Sequence, residues 1–352
     1  MAFATLTINT DIIKQNIEHI KSTTQCNVLL VAKANAYGLG ATSICQKIDT
    51  VVDYIGVATI DEATELRKHT IQAPILLLSE PLPHQFPLLT QYDITTTVYQ
   101  ADTIQALQTF ATTHQTPIKT QLKIDTGMTR LGANWQTSQP ILTQWQNSSN
   151  VLIKEGIYSH LANSDQPDHP LNTTQLNRFQ TIVTPLQNLT KHCSNSQAIH
   201  HFKNSHHDMV RVGIDAYHNA FTLTAPVRNI HTIAKNTAVG YGSTYITRND
   251  CQIATLGIGY ADGIPSSLSN QGHVMIHNTK CAIVGSVCMD MIMVEIPSDL
   301  SVSTNDTATI LSNGTDGALT IFDMARLSGL NPREIMTHFS KRIHRKVVTL
   351  ST

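Results

Sequence analysis

Short apolar, β-branched runs recur through the first part of the chain. Val28–Lys33, Tyr54–Thr59, Ile75–Ser79, Ile94–Val98, Thr120–Asp125, Ile153–His160, Ala198–Phe202 and Met209–Arg211 each have the length and residue types of a buried strand. Helix-like segments lie between them, clearest at Ile60–His69, Ala101–His114 and Gln175–His192. Ahead of the first run, Asp11–Thr23 places Ile12, Ile13, Ile17 and Ile20 on one helical face, with Thr10 as its N-cap. Strands alternating with helices form a parallel sheet, because parallel neighbours need a crossover. About eight such units predict an α/β fold, a (β/α)8 barrel of the TIM type.

From Thr224 the texture changes. Val227–Ile233, Gln252–Ile258, His273–His277, Cys281–Val287 and Ile292–Ile296 are β-rich runs with turn residues and few helices between them. Asn278-Thr279 has the look of a hairpin turn. Thr320 can cap a helix over Ile321–Ser328 that Gly329 ends, and Asn331-Pro332 starts another. The expected organisation is a barrel over residues 10–223 and a smaller β-rich C-terminal domain over 224–352, with a strand from residues 3–9 added to it.

Composition narrows the function classes. The net charge is -1, with 41% hydrophobic and 14% charged residues, so no basic excess points to nucleic acid or an anionic membrane. No stretch approaches the ~20 apolar residues of a membrane span. The start, Met-Ala-Phe-Ala-Thr-Leu-Thr, lacks the basic and apolar regions of a signal peptide. The 6 cysteines form no compact disulfide framework. A reduced, cytoplasmic protein is the expectation. Although there are 17 histidines, no His-x-x-x-His pair with a nearby acid and no Cys-x-x-Cys occurs, so no metal is expected.

Several groups of residues fall where a barrel does chemistry, at the C-terminal ends of its strands. Leu29-Leu30-Val31-Ala32-Lys33 ends a buried strand in a lysine, and Ala34-Asn35-Ala36-Tyr37-Gly38-Leu39-Gly40 turns towards a helix. Partial desolvation lowers such a lysine's pKa and makes it a carbonyl nucleophile. On position alone, a snorkelling lysine fits better. Lys123-Ile124-Asp125-Thr126-Gly127-Met128-Thr129-Arg130-Leu131-Gly132 closes the fifth strand with polar residues. Lys123 points inward and needs a partner, for which Asp125 is the plain choice. Arg130 can hold an anionic oxygen. Asn204-Ser205 and Arg211-Val212-Gly213-Ile214 end the seventh and eighth strands, where barrels commonly bind phosphate. The Gly213 and Ile214 N–H groups and the Ser205 hydroxyl are the candidate donors. In the β-rich part, glycines surround Tyr260, and Cys288-Met289-Asp290-Met291 forms a second candidate segment. A lone strand tyrosine is ordinarily core packing.

Taken in order, these segments resemble the alanine racemases nearly end to end. The resemblance rests on Val31–Gly40 (VAKANAYGLG), Lys123–Gly132 (KIDTGMTRLG), Ser159–Asp165 (SHLANSD), Val210–Ile214 (VRVGI), Val239–Tyr245 (VGYGSTY), Gly259–Gly263 (GYADG) and Ile283–Val294 (IVGSVCMDMIMV). It implies racemisation of L- and D-alanine by a two-base mechanism with pyridoxal 5′-phosphate, supplying D-alanine for peptidoglycan. It further implies that Lys33 carries the cofactor and is one base. Tyr260 is the other, on the opposite face, and comes from the partner subunit of a homodimer. Arg211 contacts the pyridine nitrogen, while Arg130 contacts the phenolic oxygen and, with Met289, binds the substrate carboxylate. Tyr37, Ser205, Gly213 and Ile214 hold the phosphate, and His160 supports Arg211 and Tyr260. Lys123 matches a lysine that carries a carbamate and pairs with Arg130.

The chain also departs from the family. Tyr260 is its last tyrosine, so the family's C-terminal tyrosine at the phosphate has no counterpart. Ser205 lies unusually close to Arg211, which reads as a trimmed seventh βα unit, and Ile264-Pro265-Ser266 stands where an arginine is common. The nearest alternative is a broad-specificity or serine-preferring racemase on the same scaffold. A non-catalytic cofactor-binding barrel would lack the β-rich domain with its tyrosine. A decarboxylase of this fold would carry other phosphate glycines and a cysteine acid.

Overall fold

The computed structural model describes residues 4–349, which fall into two compact units. One comprises Lys14–Ala36 and Ala41–Ala216. It is a nearly closed parallel barrel of Asn27–Val31, Tyr54–Val57, Ile75–Leu77, Ile94–Val98, Ile118–Asp125, Leu152–Tyr158, Thr190–His192 and Met209–Val212. The last strand pairs with the first, Met209 against Asn27. Across the seam between the seventh and eighth strands, Asp208 N–H donates to Lys191 O and Arg211 N–H to Ser194 O, both at 3.1 Å. Leu29, Leu76 and Met209 pack together with Val31, Tyr54 and Leu78. The remaining strands bury Thr95, Thr97, Gln121, Tyr158 and His192, and the eighth strand, past Met209, buries Arg211. Such groups need partners. The Thr97 hydroxyl donates to Leu77 O (2.7 Å) and lies 2.8 Å from the Tyr158 hydroxyl. The barrel interior is thus apolar on one side and hydrogen-bonded on the other.

The other unit is formed by Tyr217 onward, Tyr37–Gly40 and the segment ending at Ile13. Its sheet runs in the order Cys251–Leu256, Ile292–Ile296, Thr279–Ile283, His273–Ile276, Thr307–Leu311, Phe221–Ile233, Thr5–Asn9, His344–Val348. Phe221–Ile233 also pairs antiparallel with Cys251–Leu256, so the long strand joins both ends of the antiparallel set. The strand Thr5–Asn9 lies antiparallel to Phe221–Ile233 and parallel to His344–Val348. No helix of the described residues is long and apolar enough to cross a membrane.

Most predicted elements form close to their expected bounds, and the exceptions have identifiable causes. The first helix spans Thr10–Thr24, but its cap is Asn9, whose Oδ1 accepts from the Asp11 (3.0 Å) and Ile12 (3.3 Å) N–H groups. The hairpin turn is His277-Asn278, one residue earlier than expected; both have positive φ, 49° and 60°, as a two-residue type I′ turn requires. Thr320 caps Ile321–Ser328, and Gly329, at φ 71°, ends it. The largest difference concerns the seventh strand. Ala198–Phe202 is not a strand: Ser196–His201 is a helix, capped by Asn195 Oδ1 on Ala198 N–H at 3.1 Å. Ala198, Ile199 and Phe202 fall on one helical face as readily as in a strand. The predicted helix Gln175–His192 correspondingly stops early. It is Pro170–Val183, and Thr190–His192 is the seventh strand.

Candidate active site

After the first barrel strand the chain makes an unusual turn into Lys33. Ala32 N–H still bonds Gly56 O (2.9 Å), but Ala34, Asn35, Ala36 and Tyr37 follow with φ of 52°, 56°, 51° and 56°. Consecutive left-handed L-residues cost roughly 1–2 kcal/mol each. Fixed partners hold the turn: Glu62 accepts from Ala34 N–H (2.6 Å) and Ala58 N–H (2.8 Å), and Asn35 Oδ1 accepts from Ala41 N–H (2.8 Å). Strain held in this way is a mark of functional sites. The half-buried Lys33 amine lies below its ordinary pKa because burial disfavours the ammonium and the Arg130 charge repels it, against an opposing pull from Glu62.

Arg211, on the eighth strand, is buried and surrounded by acceptors. Its Nη1–H donates to His192 Nδ1 (2.7 Å), and its Nη2 hydrogens are shared among Ser159 O (2.7 Å), Cys193 O (3.0 Å) and His160 Nδ1 (3.1 Å). An arginine always donates, so both imidazoles accept through Nδ1 and carry their proton on Nε2. Burial, with Arg211 adding to it, holds both histidines neutral. His192 donates its Nε2–H to Gln121 Oε1 (2.8 Å) and stacks on Tyr158, 4.7 Å between ring centroids. The Arg211 Nε–H and its second Nη1–H make no hydrogen bond among the described residues, so they remain for a ligand.

Lys123 does not pair with Asp125. The Asp125 carboxylate instead caps its own loop, accepting from the Gly127 (2.9 Å), Met128 (2.8 Å) and Thr129 (3.1 Å) N–H groups. This fixes the loop that carries the exposed Arg130. The Lys123 amine lies 5.3 Å from the Tyr158 ring centroid. Burial pushes its pKa down to about 7, with the Arg211, Arg130 and Lys33 charges acting the same way. Among the described residues none of Lys33, Lys123, Arg130 and Arg211 forms an ion pair.

At the phosphate candidates, the structure rearranges the sequence assignment. Ser205 does not follow the seventh strand. It sits in the short turn Lys203–Ser205 that leads into the eighth, fully buried, with its hydroxyl 2.6 Å from Phe202 O and 2.5 Å from the Ser194 hydroxyl. The residues that do follow the seventh strand are Cys193, Ser194, Asn195 and Ser196, so that βα unit is not trimmed. Ser196 Oγ lies 3.0 Å from the Gly213 nitrogen and accepts its hydrogen bond. Gly213 is therefore not a free donor here, whereas Ile214 opens the turn Ile214–Tyr217, where first-turn N–H groups have no partner within the turn. Ser196 was missed because its strand was missed; the Asn195-Ser196 step, a cap residue before a helix, was the available signal.

Tyr37, Tyr260 and Met289 belong to the β-rich unit. The Tyr37 ring lies 5.5 Å from that of Tyr217. Tyr260 is not a strand core residue: it opens the turn Tyr260–Asp262 and is 47% exposed, with Met289 beside it at 53%. Backbone bonds join the two segments, Tyr260 N–H to Cys288 O (2.9 Å) and Ala261 N–H to Met289 O (3.0 Å). Among the described residues no cluster of His, Cys, Asp and Glu is fit to hold a metal ion.

A desolvated lysine at a barrel rim, amid arginines without carboxylate partners, defines a barrel enzyme equipped to hold an anionic, carbonyl-bearing ligand on an amine. The comparisons specify which. Residues 8–220 match the family model for the alanine racemase N-terminal domain, and residues 220–347 that for the C-terminal domain. The chain is 32% identical to alanine racemase 1 of Oceanobacillus iheyensis over 97% of both chains. It is 33% identical to alanine racemase 2 of Caldanaerobacter subterraneus over 96% of this chain and 93% of that one. Among solved structures, alanine racemase from Clostridium difficile superposes with a TM-score of 0.90 at 28% identity, covering 99% of this chain and 96% of that one. That from Streptomyces lavendulae gives 0.91 at 26%, covering 100% and 98%. The chain belongs to the alanine racemase family, which interconverts L- and D-alanine and depends on pyridoxal phosphate; it is an isomerase.

Proposed function

We propose that this chain racemises alanine with bound pyridoxal 5′-phosphate, using Lys33 and Tyr260 as its two bases. The observation that carries the reading is the set Lys33, Lys123, Arg130 and Arg211, which has no anionic partner among the described residues. The cofactor fits it on chemistry: its aldehyde suits the depressed Lys33 amine, its phosphate suits the Ile214 N–H and the Ser196 hydroxyl, and its ring oxygen suits Arg130. When bound, it supplies acidity at the α-carbon of the amino acid.

The chain's own residues do the rest. Lys33 holds or accepts the α-proton on one face, and Tyr260 of the partner subunit does so on the other. Each base contributes about 10²–10⁴-fold. Arg211 donates a hydrogen bond at the ring nitrogen without surrendering its proton, which keeps that nitrogen uncharged and favours reprotonation over transamination. His160 holds Arg211. Arg130 and Met289 bind the substrate carboxylate, and Tyr37 joins Ser196 and Ile214 at the phosphate, while the Gly213 N–H orients the Ser196 hydroxyl. Ser196 takes the role that the sequence alone assigned to Ser205. The Lys123 amine, about half uncharged near neutral pH, adds carbon dioxide and releases a proton to solvent, forming a carbamate that pairs with Arg130. Isotopically labelled bicarbonate should give a carbamate signal in the protein that Lys123→Met abolishes.

The deciding experiment loads the protein with pyridoxal phosphate and follows alanine, serine and lysine for loss of optical activity and release of carbon dioxide. Racemisation of alanine is expected, with borohydride trapping label on Lys33. Faster racemisation of serine would favour the broader racemase, and label on another lysine would overturn the assignment.

A further inference from the structure

The turn that carries Tyr260 is held by a charged group that the two-base scheme leaves unused. Asp262, two residues after Tyr260, is 1% exposed, and a buried carboxylate needs both a counter-charge and hydrogen bonds. It accepts from Gly259 N–H (3.0 Å), from Arg342 Nε (3.0 Å) and from Arg342 Nη2 (3.0 Å). The same guanidinium reaches a second carboxylate, Asp290, with Nη1 at 2.7 Å. Asp290 follows Met289 directly. One planar fork therefore grips both the Tyr260 turn and the Met289 segment.

The backbone shows how tightly these segments are drawn together. A Cβ on Gly259 would lie 2.3 Å from Cys288 O, and one on Gly263, at φ +100°, would lie 2.6 Å from His338 O. Ser340 N–H reaches Asp262 O at 3.4 Å. Three stretches of chain, at 259–263, 288–290 and 338–342, thus meet where only glycine fits. The charges lie at this junction, while the Tyr260 and Met289 side chains stand exposed beside it.

We infer that Arg342 is a positioning residue, which fixes the Tyr260 hydroxyl relative to the Met289 segment by clamping Asp262 and Asp290 together. The inference rests on the reading of Tyr260 as the second base. A guanidinium suits the task because its donors form a rigid planar fork; a lysine ammonium is a point charge that cannot grip one carboxylate with two donors and a second with a third. Loss of the clamp leaves Asp262 buried without a counter-charge, held only by Gly259 N–H (3.0 Å) and a long bond from the Ser340 hydroxyl (3.5 Å), so the turn must shift to hydrate it. A shift of about 1 Å in a proton-transfer group costs up to roughly 10²-fold in rate.

The test uses full-length enzyme with its cofactor and the variants Arg342→Gln, Arg342→Lys, Asp290→Asn and Tyr260→Phe. Because the enantiomers have equal free energy, kcat/KM must remain equal in the two directions, so the readout is isotopic. The α-deuterium effect on kcat/KM with each enantiomer measures how far proton removal on that enantiomer's face limits the reaction, and the enantiomer whose effect Tyr260→Phe raises is the one that Tyr260 deprotonates. Arg342→Gln should lower kcat/KM about 10–100-fold, raise the effect with that enantiomer and bring that with the other towards one. Arg342→Lys and Asp290→Asn should shift both effects in the same sense by less. Amide exchange at Tyr260 and Ala261 should also speed up in Arg342→Gln. Asp290→Asn leaves the buried pair intact, so it reports even if the Arg342 variants fold poorly. A merely structural role lowers activity and leaves both isotope effects at wild-type values, which would overturn the inference provided Tyr260→Phe shifts them. If Tyr260→Phe shifts neither, the base assignment falls instead, and the positioning role with it.

Discussion

In the barrel, Lys33, Lys123, Arg130 and Arg211 stand without a carboxylate partner among the described residues, whereas in the β-rich unit one exposed arginine, Arg342, serves two carboxylates. Burial is not what separates them, since Arg211 and Asp262 are both almost inaccessible. The difference is one of task. A positive cluster left unpaired is costly until an anion arrives, so it marks where a ligand belongs. A charge with every lone pair occupied holds geometry and has nothing left to offer a substrate. The barrel rim is thus built for binding, and the Tyr260 turn for placement.

The sharpest test of this division separates the two regions onto different chains. Lys33→Ala and Tyr260→Ala homodimers should each lose roughly 10²–10⁴-fold or more in activity. After dissociation and reassociation together, random pairing makes about half of the dimers mixed, each with one intact site, so recovery should approach about a quarter of wild type. If chain exchange is demonstrated and no activity returns, both residues act in the same subunit.

Reversing the charge at the barrel's centre should come next in size. Arg211→Glu should slow racemisation by roughly 10²–10³-fold, as loss of a preorganised donor does, and raise transamination relative to it. An unchanged ratio of the two reactions would show that Arg211 does not control the fate of the carbanion.

The paired serines give a smaller and more discriminating contrast. Ser196→Ala should weaken binding of pyridoxal phosphate to the apo-protein about tenfold or more, the worth of a hydrogen bond to a charged group, in a fluorescence titration. Ser205→Ala should leave that titration unchanged. It should instead lower unfolding stability by about 1 kcal/mol, because a buried hydroxyl loses its bond to Phe202 O. The opposite pattern would restore Ser205 to the phosphate.

The smallest expected effect is a pH dependence. The Lys123 pKa is depressed in the fold, so between about 7 and the ordinary 10.5 the unfolded chain binds more protons than the native one. Native stability from this group therefore rises with pH across that window, and the full penalty of a buried ammonium applies below it. In CO2-free buffer, where Lys123 is a free amine, Lys123→Met should flatten that part of the Tm-against-pH curve of the apo-protein and raise Tm by a few degrees at the acidic end. An unaltered slope would mean that the amine is better solvated than its burial indicates.

How much of this was legible in the sequence depends on the strand in question. Ile94–Val98 is a continuous β-branched run, and the structure forms it with the expected bounds. Lys33, Lys123, Arg130 and Arg211 were legible too, because each lies in or just after a strand whose pattern is strong. The parallel barrel, the β-rich unit and the strand-end positions of these four cations follow from local pattern. Tertiary structure alone decided the seventh strand. Thr190–His192 is short and polar, and carries no periodicity. His192 belongs in a barrel interior only because Tyr158 stacks on it, Gln121 accepts its hydrogen bond and Arg211 donates to it. Those partners come from strands far away in the chain, so no local pattern could announce them. The apolar residues of the following helix imitate a strand instead, which places Ser205, rather than Ser196, after the seventh strand. Likewise, no spacing in the sequence says that Arg342 closes on Asp262, 80 residues earlier. Local preference fixes elements whose burial is written in their own residues. Where a polar segment is buried through distant partners, only the assembled fold provides the compensation that makes it stable.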